Sequence, residues 1–110
     1  MPGDRLRAVV DDLESCEAAV RLCDREERLL RSLRTQGERF ISGRLITRHR
    51  YEARRRPGGV DLVMEMEGRH SMSVAQQLAN QFTMVEDVGS AEVTRTSRGA
   101  VVALRARERA

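Results

Sequence analysis

The stretch EAAVRLCDREERLLRSLRTQG, Glu17 to Gly37, decides the order in which this chain lays down its strands and helices. Its second half is a helix by every local sign. Asp24 offers a cap and Glu27, three residues on, resembles a capping box. Leu29, Leu30 and Leu33 form an apolar stripe, Glu27 and Arg31 are spaced as an i,i+4 ion pair, and Gly37 falls where a helix commonly ends. Its first half reads in two ways. Ala18, Val20 and Leu22 alternate with Ala19, Arg21 and Cys23, a strand pattern. Leu6, Val9, Leu13, Cys16, Val20 and Cys23 also recur at helical spacing. A single helix from about residue 5 to residue 36 would place Glu27 on the apolar stripe and Asp24 in a helix interior, so the strand reading is preferred.

Beyond Gly37, residues 39–52 look β-rich, with a bulge or kink at Ser42-Gly43. Pro57-Gly58-Gly59 is a turn signal. Residues 60–67 alternate cleanly: Val60, Leu62, Met64 and Met66 toward a core, Asp61, Glu65 and Glu67 outward. At that spacing the methionines are core residues. The two segments form a hairpin whose arginines and acids can pair across the strands, each exposed pair worth about 0.2–1 kcal/mol. The loop is expected to exceed two residues, with Arg54, Arg55 and Arg56 at or near its tip. A second helix is expected over 73–83, capped by Ser73 with Gln76 and buried through Val74, Leu78 and Phe82. Residues 90–96 read as a short strand, Ser97-Arg98-Gly99 as a turn and 100–105 as an edge strand. No internal repeat is evident. The expected fold is α+β: a ferredoxin-like or ACT-like βαββαβ order, one antiparallel sheet with two helices on one face. Residues 1–16 form an N-terminal extension, 17–105 the domain and 106–110 a frayed tail.

A chain of 110 residues is one domain with a modest core. Phe40, Tyr51 and Phe82 are its aromatic residues, so aliphatic side chains and methionine fill the interior. The net charge is +3, but residues 44–56 hold six arginines against one glutamate, and the rest of the chain is nearly balanced. All 20 basic residues are arginine. Schiff-base catalysis and a Walker-type phosphate loop both need a lysine and are excluded.

Other chemistry is sparse. Cys16 and Cys23 lie seven apart, off the C-x-x-C spacing, and read as reduced thiols. His49 and His70 stand at no ligand spacing from each other or from a cysteine, so no metal, cofactor or catalytic group is expected. The acid pairs Asp11-Asp12, Glu26-Glu27 and Glu86-Asp87 read as solvated faces. No serine sits in a G-x-S-x-G elbow. No signal peptide is evident, and no apolar run approaches the roughly 20 residues needed to span a bilayer.

The arginine cluster Arg48, Arg50, Arg54, Arg55 and Arg56 is the candidate contact for an anionic partner. A solvated hairpin tip is the plainest reading, followed by an acidic protein surface or anionic lipid headgroups. Nucleic acid is disfavoured: RNA-binding modules of this fold class stack bases on sheet aromatics, and strand 60–67 has none. Arginines alone would give only non-specific phosphate contacts.

The run AVRLCD, the leucine-rich helix, GERFISGRL, VDLVMEMEG and the closing LANQFTMVEDVGSAEV together resemble the cytoplasmic C-terminal domain of the MgtC/SapB family over about residues 17–96. That resemblance implies a non-enzymatic ACT-like regulatory module, cytoplasmic and tethered to the inner membrane where it is part of a longer protein. It would act by self-association, as a homodimer, or by docking on a membrane partner. Cys23-Asp24-Arg25-Glu26 lacks the glycine of the usual ACT ligand loop, so no small molecule is expected there. A second resemblance competes. A charged helix, GVDLVMEMEG, another helix and the pair SAEVTRT/AVVALRA look like the periplasmic ferredoxin-like domains of PilN- and PilO-type pilus assembly proteins, which follow a long helix and dimerise. It implies a structural assembly module and requires residues 5–36 to be helical.

Overall fold

A computed structural model of the chain describes residues 21–42 and 46–107. Six elements follow in order: α1 (Asp24–Ile41), β1 (Arg48–Arg56), β2 (Gly59–Glu67), α2 (Ser71–Thr83), β3 (Val88–Arg95) and β4 (Gly99–Ala106). The order is αββαββ, not the expected βαββαβ. Residues 21–23 are neither helix nor strand, and α1 begins at Asp24. Residues 18–20 of the expected first strand, like the extension 1–16, lie outside the described residues.

The four strands form one antiparallel sheet in the order β1-β2-β4-β3. In a split βαβ arrangement the opening strand lies in the middle of the sheet. Here that central place, between β2 and β3, belongs to β4, which pairs Leu62 with Leu104, Met64 with Val102 and Met66 with Ala100. The segment expected at the sheet's edge is therefore interior. Its composition suits the position: Ala100, Val102 and Leu104 are fully buried, and Val101 and Ala103 give the opposite face an apolar character too. The described residues form two successive αββ units, a repeat that the sequence does not announce.

Both helices cover one face. Leu29, Leu30 and Leu33 of α1 and Val74, Ala75, Leu78 and Phe82 of α2 pack with Leu62, Met64, Met66, Val102 and Leu104 as one core. The anticipated inward set of β2 is correct from Leu62 onward, and the methionines are core residues with no exposure. The Glu27–Arg31 pair forms at 3.4 Å. Its helix starts one residue earlier than the cap signals indicate, with Cys23 as N-cap and its N–H donating to Glu26 Oε1 at 3.0 Å.

The far end of α1 departs further from expectation. Gly37 does not end the helix, which continues to Ile41 through residues expected to be β-rich. The apolar series Leu30, Leu33, Gly37, Phe40 and Ile41 keeps helical spacing, and this tertiary signal overrides the local stop. Gly37 is buried because α1 lies close against the sheet there: a Cβ would run into Tyr51 Oη and lie 2.8 Å from Met64 Sδ. In α2, Ser73 is inside the helix and not its cap. The N-cap is His70, and Ser73 Oγ accepts from Gln77 Nε2 at 3.2 Å.

Gly99 opens β4 opposite Glu67, where two backbones meet. A Cβ there would strike the carbonyl of Met66 and come within 2.8 Å of Glu67 Cα. Backbone in a central pair cannot yield as a side-chain tip can. Gly99→Ala is expected to destabilise the fold by about 2 kcal/mol or more, read as a lower urea midpoint. An unchanged midpoint would contradict the close approach.

Candidate functional site

The β1–β2 hairpin carries all five arginines singled out in the sequence. Its turn is two residues, Pro57 and Gly58, since Arg56 already pairs with Gly59. Arg54, Arg55 and Arg56 are therefore strand residues and not the tip of a longer loop. Alternation along β1 separates them. Arg48, Arg50, Arg54 and Arg56 share the sheet face away from the helices, and Arg55 lies on the other face with His49, Tyr51 and Ala53.

On the open face the arginines meet acids. Glu52, only 5% exposed, lies between Arg50 and Arg54 and accepts from both. Arg54 also donates to Glu65 Oε2 at 2.9 Å, and Arg50 reaches Glu65 at 3.5 Å. Arg56 Nε donates to Asp61 at 2.9 Å, and Arg105 of β4 approaches the same carboxylate at 3.5 Å. Arg48 stands across from Glu67. Burial of the Arg54 guanidinium would lower its pKa, but the bonds to Glu52 and Glu65 outweigh that and raise it. The cross-strand pairing expected from the acidic face of β2 is thus realised. The local excess of positive charge is largely compensated within the sheet. Arg48, His49, Arg50, Glu65 and Glu67 border a shallow pocket of about 100 Å³ on this hairpin.

A second polar cluster, at the edge where α1 meets β1, is one that reading the sequence missed. Tyr51 Oη donates to Glu38 Oε2 at 2.7 Å, and His49 Nε2 lies 2.7 Å from the same oxygen. The His49 and Tyr51 rings meet edge to face with centroids 5.7 Å apart. The Arg34 guanidinium stands 5.6 Å from the centre of the Tyr51 ring. The Tyr51 hydrogen bond, opposed by partial burial and aided by His49 and Arg34, holds the Glu38 carboxyl below its ordinary range. Burial first, and then Glu38, push the Tyr51 hydroxyl up. Ending the helix at Gly37 hid this cluster. The i,i+4 spacing of Arg34 and Glu38 was the available signal.

Among the described residues no group of three or more His, Cys, Asp or Glu is placed to hold a metal ion, and Cys23 is an exposed free thiol. Among them also, no helix is long and apolar enough to cross a membrane. No family model, curated protein or solved structure matches this chain. What the fold defines is a small α+β domain of two helices on a four-stranded antiparallel sheet.

The Glu38 cluster gives a pH signature. A carboxyl whose folded pKa lies below its unfolded value stabilises the fold above the unfolded value, here 4.5. That stability is lost as pH falls through the folded pKa. Glu38 is half exposed, so Glu38→Gln is expected to cost no more than about 1 kcal/mol at neutral pH. The difference should shrink as pH falls below 4.5 and the Glu38 carboxyl takes up its proton. Urea unfolding of both proteins at neutral and at acid pH checks this, and a gap that does not narrow in acid would refute it.

Proposed function

We propose that this domain is a non-enzymatic assembly module that works by pairing with a second copy of itself along β3. The observation that carries the reading is the difference between the sheet's two edges. β1 holds five arginines and a histidine in nine residues, a density of charge that discourages strand addition. β3, VGSAEVTR, carries only Glu92 and Arg95 as charges, and among the described residues no strand lies beyond it. Met84 (86% exposed) and Val85 (37%), the large apolar side chains left exposed among those residues, sit in the turn leading into β3.

An antiparallel pair about a twofold axis at Val93 would set Val93 against Val93 of the second copy, Glu92 against Thr94 and Ala91 against Arg95. Like charges would not oppose one another in that register, whereas an axis at Glu92 would place two carboxylates face to face. The result is a continuous eight-stranded sheet with both copies' helices on one side, a closed, self-complementary dimer.

The non-helical residues 21–23 break the continuous helix that the pilus-type resemblance requires, and the helix-first order weighs against the resemblance to the MgtC-type module. The latter needs a strand ahead of the first helix, and β4 occupies the sheet position that strand would take. Compensation of Arg50, Arg54 and Arg56 by acids likewise weighs against the sheet face as a primary contact for lipid headgroups or nucleic acid.

Light scattering across a concentration series is expected to show a monomer–dimer equilibrium. Thr94→Glu combined with Met84→Glu, both at exposed positions, opposes a second carboxylate to Glu92 across the pair and should shift it to monomer without altering the circular dichroism spectrum. A wild-type chain that stays monomeric at the highest attainable concentration would overturn the proposal.

A further inference from the structure

At the end of the sheet opposite the Pro57-Gly58 turn, the β2–α2 connection and the β3–β4 turn border an open, shallow cavity of about 210 Å³. Three arginines line it: Arg69 from the first connection, Arg95 from the end of β3 and Arg98 from the turn. No acid does. The contrast with the sheet face is sharp, because there the guanidinium groups are matched by Glu52, Glu65 and Asp61. Glu67, the nearest acid along the chain, belongs to the β2 face that carries Asp61 and Glu65, away from the helices.

The walls of the cavity are held in place. Gly68 N–H donates to the Arg98 carbonyl at 3.2 Å, joining the two connections. Ser71 Oγ donates to the Gly68 carbonyl at 2.8 Å, and Thr96 N–H to the Gly99 carbonyl at 2.9 Å. Thr96 Oγ1 accepts from Gly99 N–H at 3.0 Å, which leaves its own hydrogen to donate, and Ser97 brings a second hydroxyl to the rim. α2 opens on the same space without a side-chain cap and without an acid in its first turn. This adds to the positive potential that the arginines set up.

We propose that this cavity binds a phosphate group carrying two negative charges, free or as a monoester. Three guanidinium groups from two backbone segments line this one space, and a guanidinium can offer paired N–H donors to phosphate oxygens. The volume lies below that of pockets for drug-sized ligands, which selects a head group and not a large organic body. The site is remote from the turn that carries Met84, and Arg95 is its one arginine on the strand proposed to pair.

Inorganic phosphate titrated at constant ionic strength into the ¹⁵N-labelled chain is the test, run on the wild type and on the Thr94→Glu/Met84→Glu variant. Saturable shifts are expected at the Gly68, Ser71, Ser97 and Arg98 amides in both proteins. Arg69→Gln and Arg98→Gln, each at an exposed position, should weaken binding roughly tenfold. Arg28→Gln on α1 should leave it unchanged. Shifts that fail to saturate, that chloride reproduces, or that survive both cavity substitutions would overturn the proposal. Cosedimentation with phosphatidic acid vesicles, against phosphatidylserine vesicles of equal charge, separates the two sources. Selective retention on phosphatidic acid assigns the group to a lipid, and phosphate binding without it assigns a soluble ligand.

Discussion

The antiparallel contact between β2 and β4 holds the domain together. Each αββ unit alone is a hairpin with a helix over it, and in isolation its second strand keeps an unpaired edge. Setting β2 beside β4 places Leu62, Met64 and Met66 against Leu104, Val102 and Ala100, all without exposure. It also brings α1 and α2 over a single core, where Gln81 Nε2 donates to Gln36 Oε1 at 2.9 Å across the helices. The outer strands, the turns and the arginine lattice take their positions from this central pair. The bare glycine at residue 99 is the local condition for the two backbones to close on each other at its end.

The lattice on the open face shows how a strongly basic segment can be a structural feature. Glu52 sits on the open face of the sheet yet is nearly buried, between Arg50 and Arg54 and across from Val63, itself 2% exposed. The lattice is redundant: Glu52 and Glu65 share Arg50 and Arg54, and Asp61 meets both Arg56 and Arg105. The three cavity arginines have no such task. Arginine in this chain thus fills two roles, and composition alone does not separate them.

How far the sequence was legible depended on whether a signal was local. The alternation of Val60 to Met66, the i,i+4 pair of Glu27 and Arg31, and the hairpin around Pro57 are local, and they were read correctly. Gly37 was misread because its reason is not local: it faces Tyr51 and Met64, residues that come to it only through tertiary packing. With the helix cut short, Glu38 fell into a supposed strand and its contacts with His49 and Tyr51 could not be seen. The place of β4 was misread for a related reason. Residues 100–104 are apolar on both faces, which marks an interior strand, but its position near the end of the sequence suggested an edge. The alternation of residues 18–23 then supplied a competing candidate for the central place. The basic cavity was invisible because Arg69 and Arg98 are 29 positions apart in the chain and adjacent only in space.

The last of the described strands is the one that completes the middle of the sheet. Until residues 99–106 are released, β2 can have only β1 beside it and β3 has no partner among the described strands. The nascent chain then carries two open strand edges, one of them bordered by Leu62, Met64 and Met66, the side chains that later become its driest. The domain cannot acquire its core in instalments: the central pair, and the core over it, close only once residues 99–106 are in place.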